Sequence, residues 1–196
     1  MSWRRVCVYA GASAGEDPAY RESAEALAES LARRRAGIVY GGGSIGLMGA
    51  LADASLAAGN EVIGVIPRFL DEREVGHRGV TRLHVVETMH ERKMLMADLS
   101  DAFIALPGGF GTLEELVEIL TWSQLGLHRK PIGLLDVRGY WAPLVRLIDH
   151  ATEESFIADR HRGLLLSAQD PDELLDAMAA WRPPSGNGWL HSDEET

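Results

Sequence analysis

Three glycine-rich loops, Gly11-Ala12-Ser13-Ala14-Gly15, Gly41-Gly42-Gly43-Ser44-Ile45-Gly46 and Pro107-Gly108-Gly109-Phe110-Gly111, each follow a short apolar run and each lead into an amphipathic helical pattern. A chain that passes repeatedly from strand through glycine to helix builds βαβ units. Their right-handed crossovers give a parallel sheet with helices on both faces. The apolar runs at 6–10, 38–40, 62–66, 83–87, 102–106 and 132–135 are the expected strands, and helical spacing marks 20–34, 47–58, 93–99, 113–125 and 140–152. The expected fold is therefore α/β: a Rossmann-like, doubly wound parallel sheet in three αβα layers. Ligands of such sheets bind beyond the carboxyl ends of the strands, so the three loops should converge on one crevice.

With 196 residues, 46% of them hydrophobic, the chain can bury one core, and residues 1–181 are expected to form one domain. From Arg182 to Thr196 the composition turns to proline, glycine, serine and acid, the pattern of a disordered tail. A formal net charge of −10 argues against a nucleic-acid partner, which would need a basic face. Cys7 is the only cysteine, so no internal disulfide or cysteine-rich zinc site can form. Arg4-Arg5 before Val6-Cys7-Val8-Tyr9-Ala10 faintly resembles a signal peptide, but the stretch is short and reads better as a first buried strand. No apolar run approaches bilayer-spanning length, and a cytoplasmic protein without membrane partner is expected.

Gly41, Gly43 and Gly46 satisfy G-x-G-x-x-G, but the acid that should end the next strand and bind a ribose is missing, because Glu61 sits at that strand's beginning. The loop therefore suits a phosphate better than a nicotinamide dinucleotide. Two loops also fit the nucleophile elbow G-x-S-x-G, for which Asp136 and His161 would be the best-placed partners. A serine esterase would leave the third glycine loop unexplained, and Ser13 and Ser44 more simply offer hydroxyls to a phosphate or ribose. No Walker lysine follows any loop, so triphosphate hydrolysis is not favoured. The seven histidines have no ligand spacing, and neither metal nor cofactor is inferred.

Thr88-Met89-His90-Glu91 is a capping box followed by Arg92 and Lys93. Two cations near a helix start oppose the helix dipole, so either they are solvated surface charges or they face an anion. Thr112-Leu113-Glu114-Glu115 also fits a capping box, which competes with a catalytic use of Glu115, while Glu114 by itself reads as a solvent-facing helix residue.

With Gly41-Gly42-Gly43-Ser44-Ile45-Gly46-Leu47-Met48-Gly49, Met89-His90-Glu91-Arg92-Lys93 and Pro107-Gly108-Gly109-Phe110-Gly111-Thr112-Leu113-Glu114-Glu115 in order, the chain resembles the LOG (Lonely Guy) family. Its members are cytokinin riboside 5′-monophosphate phosphoribohydrolases, and the likeness runs over nearly the whole domain. The resemblance implies Arg92 and Glu115 as the catalytic pair. It implies substrate contacts from Glu74, Lys93, Thr121 and the run Gly109, Phe110, Gly111 and Thr112; Ser13, Gly42, Gly43, Met48, Gly108, Leu113 and Glu114 complete the candidate set. One departure is Ala12, where many members carry serine. The resemblance also implies a homodimer and hydrolysis of the N-glycosidic bond of adenosine 5′-monophosphates, N6-modified or plain as in an AMP nucleosidase. The competing expectation is a non-catalytic carrier of a nucleotide-like cofactor on the same loops.

Overall fold

The computed structural model describes residues 3–72 and 76–184. In chain order the first half comprises β1 (Arg5–Tyr9), α1 (Pro18–Arg33), β2 (Gly37–Tyr40), α2 (Gly46–Ala57), β3 (Val62–Pro67), a single turn α3 (Arg68–Asp71), β4 (Arg82–Val86) and α4 (Met89–Asp98). The second half comprises β5 (Ala102–Ala105), α5 (Phe110–Gln124), β6 (Ile132–Leu135), a 3₁₀ turn at Val137–Gly139, α6 (Ala142–Glu153), α7 (Asp159–Arg162), β7 (Leu165–Ala168) and α8 (Pro171–Ala180). All seven strands join one sheet in the order β4-β3-β2-β1-β5-β6-β7, and every pairing is parallel. The expected doubly wound αβα architecture is present.

The strand order reverses between β1 and β5, so the chain winds outward in opposite directions from these two neighbours. Crossovers from β1 and from β5 then leave toward opposite faces, which opens a crevice above their carboxyl ends. One face is covered by α1, α2 and α8 through Leu27, Leu31, Leu51, Leu174 and Met178. The other is covered by α4, α5 and α6 through Met96, Leu116, Ile119, Leu144 and Ile148, with Trp141 just before α6. Central strands β1, β2, β3 and β5 are buried on both sides, as their unbroken apolar runs require.

Each of the six expected strands is present, with ends shifted by a residue or so; β7 and α8 were not anticipated. Helix α8 carries clear local signals: Asp170 caps it by accepting from the Asp172 and Glu173 N–H groups at 2.9 and 3.0 Å, with Pro171 in the first turn. Salt bridges from Arg33 and Arg34 to Asp172, and from Arg34 to Asp176, tie α8 to α1. Residues 185–196, most of the expected tail, lie outside the described residues.

Candidate active site

The three glycine loops meet at the sheet's carboxyl edge. Gly11 N–H donates to the Pro107 carbonyl at 3.1 Å, joining the first loop to the third. The Gly11 carbonyl accepts from Leu47 and Met48 N–H at 3.0 and 3.3 Å, joining the first loop to the second. These last two bonds decide between the loops as anion sites. Two opening N–H groups of α2, those of Leu47 and Met48, are already satisfied by Gly11, so this helix start has fewer to offer a phosphate than the sequence had suggested. The rest of that loop is also engaged: the Gly42 carbonyl accepts from His77 N–H at 2.8 Å and Gly43 bridges Gly76. Met48 lies against Gly41.

Helix α5 starts differently. Its cap is Gly109, with no side-chain cap, and its first backbone bond runs from Leu113 N–H to the Gly109 carbonyl at 3.0 Å. The N–H groups of Phe110, Gly111 and Thr112 precede that ladder at the positive end of a 15-residue helix. Because the helix begins at Phe110, Thr112 stands inside the first turn, and Glu115 one turn further on. The Thr112–Glu115 capping box therefore does not form, and Glu115 must be explained otherwise.

Glu115 is buried, 7% exposed, and its Oε1 lies 3.3 Å from Nη1 of Arg92, itself 8% exposed. Arg92 is aimed by two strand-end carbonyls: Nε donates to Val65 of β3 at 3.1 Å and Nη2 to Gly41, just beyond β2, at 3.2 Å. A Cβ on Gly41 would stand 2.0 Å from Nη2, so glycine there makes room for the guanidinium. Solvated surface charge is thus excluded for Arg92. Burial raises the Glu115 carboxyl above the ordinary carboxylate range; Arg92 opposes that shift without cancelling it, and Glu114 adds to it. Burial is thus the larger influence on this carboxyl.

Lys93, also 8% exposed, points to α5, where Glu114 and Glu118 hold its ammonium, Glu118 at 3.0 Å. Burial works to lower its proton affinity, but the two carboxylates outweigh it and the net shift is upward. Glu114 is therefore not simply solvent-facing; it helps fasten α4 to α5. Glu118, four residues on along the same helix face, went unread in the sequence, though its i,i+4 spacing from Glu114 was visible.

The Thr88 cap on α4 is present: its Oγ1 accepts from Glu91 N–H at 3.1 Å, while Glu91 reaches back to Glu87 N–H at 2.9 Å. The other candidates scatter. Ser13, Gly108 and Gly109 border a crevice of about 280 Å³ together with Tyr20 and Tyr140. Phe110 is 91% exposed at the mouth of α5, and Leu113 packs on the core. Thr121 lines a separate apolar groove between α5 and α6, with its hydroxyl bonded to the Val117 carbonyl at 2.8 Å. Glu74 lies outside the described residues. Asp136 accepts from Trp141 N–H at 2.6 Å and His161 borders the apolar groove, so neither is placed as an esterase partner. Glu61, at the amino end of β3, pairs with Arg5 at 2.7 Å and serves no ribose.

The chain matches curated relatives over most of its length. It is 47% identical over 181 residues to cytokinin riboside 5′-monophosphate phosphoribohydrolase LOG7 of Arabidopsis thaliana, covering 92% of this chain and 83% of that protein. To LOG of Oryza sativa it is 46% identical over 192 residues, covering 98% and 79%. The chain belongs to the LOG family. The family model matching residues 48–178 carries the description "Possible lysine decarboxylase". The two lysines of this LOG-family chain do not suit that chemistry: Lys93 is clamped by carboxylates and Lys130 donates to the Ala97 carbonyl at 2.8 Å. A Schiff-base lysine needs a free amine of lowered proton affinity, the opposite of Lys93. The LOG fold also matches the molybdenum cofactor carrier protein of Chlamydomonas reinhardtii, with TM-score 0.67 and 20% identity over 89% of this chain and 94% of that one; this likeness concerns the fold alone.

Proposed function

We propose that this LOG-family protein hydrolyses the N-glycosidic bond of adenosine 5′-monophosphates, releasing adenine or an N6-substituted adenine and ribose 5-phosphate. The observation that carries this is the buried Arg92–Glu115 pair one helical turn from the uncapped start of α5. The N–H groups of Phe110, Gly111 and Thr112 take the 5′-phosphate, and Gly108, Gly109 and Ser13 border its cradle. Breaking the bond builds positive charge at C1′, an oxocarbenium-like state that an adjacent carboxylate stabilises. Glu115 does this and orients the attacking water. Its raised proton affinity makes it a better base near neutral pH than an exposed glutamate. Arg92 fixes Glu115 and keeps it from being protonated outright. Lys93 and Glu114 act one step back, by holding α4 against α5. The names of the relatives, all phosphoribohydrolases of cytokinin riboside 5′-monophosphates, support the same reaction and the N6-substituted substrate.

The catalytic unit is the domain over residues 1–181, working in the cytoplasm, where the lone buried thiol of Cys7 stays reduced. It works as a homodimer through the apolar groove of α5 and α6, about 420 Å³, where Thr121 meets the second subunit. Incubation with AMP and with isopentenyladenosine 5′-monophosphate, with released base measured by chromatography, tests the reaction. Base release should fall about 100-fold or more in Glu115→Gln while nucleotide binding survives. Tight nucleotide binding without base release by the native protein would instead return the carrier reading.

A further inference from the structure

The wall of the 280 Å³ crevice facing the third glycine loop is Tyr140, which stands between the 3₁₀ turn and α6. Its hydroxyl donates to the Gly108 carbonyl. The ring is held edge-on by Trp141 at 5.0 Å and by Tyr20 of α1 at 6.2 Å, so it is braced from both faces of the sheet. In a trans peptide the carbonyl of one residue and the N–H of the next point in opposite directions. A Gly108 carbonyl held by Tyr140 therefore turns the Gly109 N–H away from the crevice wall. Between two glycines that peptide can flip at little steric cost, because neither residue has a Cβ to resist it.

We infer that Tyr140 is a positioning residue for phosphate recognition: its hydroxyl locks the Gly108–Gly109 peptide so that the Gly109 N–H joins those of Phe110, Gly111 and Thr112. This rests on the phosphate-cradle reading of α5 given above. Nothing near Tyr140 in sequence marks it; only the fold brings it to a loop 32 residues away.

The hydroxyl can be removed with the ring left in place by Tyr140→Phe, and ribose 5-phosphate is a probe that needs no turnover. Calorimetric titration should show its dissociation constant rising about 5-fold in Tyr140→Phe, the size of one ordinary hydrogen bond. KM for AMP should rise in parallel while kcat changes by less than about 2-fold, because C1′ and Glu115 are untouched. Gly109→Ala supplies the readout that a merely structural role would not move. A Cβ there meets nothing within 4 Å, yet it opposes the positive φ that a flipped peptide needs. In the Gly109→Ala background the loss of the hydroxyl should therefore cost less than in the native one, a coupling that a double-mutant cycle measures. Unchanged ribose 5-phosphate affinity in Tyr140→Phe, or equal losses in both backgrounds, overturns the assignment. If Tyr140→Phe does not fold, Tyr140→Trp, which keeps an aromatic ring but moves the donor, must show the same weakened ribose 5-phosphate binding. Native protein that binds ribose 5-phosphate but releases no base sinks the hydrolase reading and leaves this one to the titrations; native protein that neither binds ribose 5-phosphate nor releases base sinks both.

Discussion

Glu115 shows how one side chain's meaning depends on where its helix starts. Read locally, Thr112 and Glu115 form a helix cap; with α5 starting at Phe110, the carboxylate is instead carried one turn inward to Arg92. Its ionisation has a consequence for stability. The folded protein raises its proton affinity, so the stabilisation is complete below the unfolded value, about 4.3 for glutamate, and is lost as pH rises through the higher folded value. Glu115→Gln, which cannot ionise, avoids that loss. Thermal midpoints of the variant relative to the native protein should therefore increase between about pH 4 and pH 7. A constant difference across that window would show that burial does not govern this carboxyl.

At the scale of elements, two helix starts that look alike in sequence, both glycine-rich and both after buried strands, are used differently. The α2 start donates to Gly11 and holds the loops together, whereas the α5 start leaves the N–H groups of Phe110, Gly111 and Thr112 ahead of its own ladder, where the proposed function uses them. Gly46 is the pivot of the first arrangement. It has φ +62°, and a Cβ there would lie 2.3 Å from the Ala12 carbonyl carbon. Gly59, at the other end of α2, has a similar φ of +73° but open space around it. Gly59→Ala should then cost about 1 kcal/mol, from the left-handed backbone alone. Gly46→Ala should cost at least about 2 kcal/mol more, because the loop must also move. Denaturant unfolding of both variants measures the difference, and equal losses would mean that the loop contact contributes nothing. The strands and most helices were legible from period and glycine punctuation. Strand β7, Leu165–Ala168, was not: it falls within the short run Leu164-Leu165-Leu166, which periodicity cannot tell from helix, and it alternates only weakly at the sheet edge.

For the whole molecule, an apolar groove lies where α5 and α6 meet. Val117 is 50% exposed and Leu147 62%, beside a groove also lined by Leu120, Leu144 and Ile148. A surface of this kind is expected to be covered by a partner. The homodimer proposed above makes it the subunit contact, and Leu147→Glu should then shift sedimentation from dimer to monomer. A native protein that sediments as a monomer would remove the proposed role of Thr121 with it.

The order of strand, glycine and helix was enough to determine the parallel α/β sheet and the edge at which its loops gather, because these follow from local period and backbone freedom. Only the tertiary structure decided which helix start is tied to the first loop, that Lys93 serves α5, and that Arg92 and Glu115 meet. Each of those outcomes depends on a hydrogen bond or ion pair between segments far apart in the chain, and their relative placement is a property of the packed sheet that no local pattern contains.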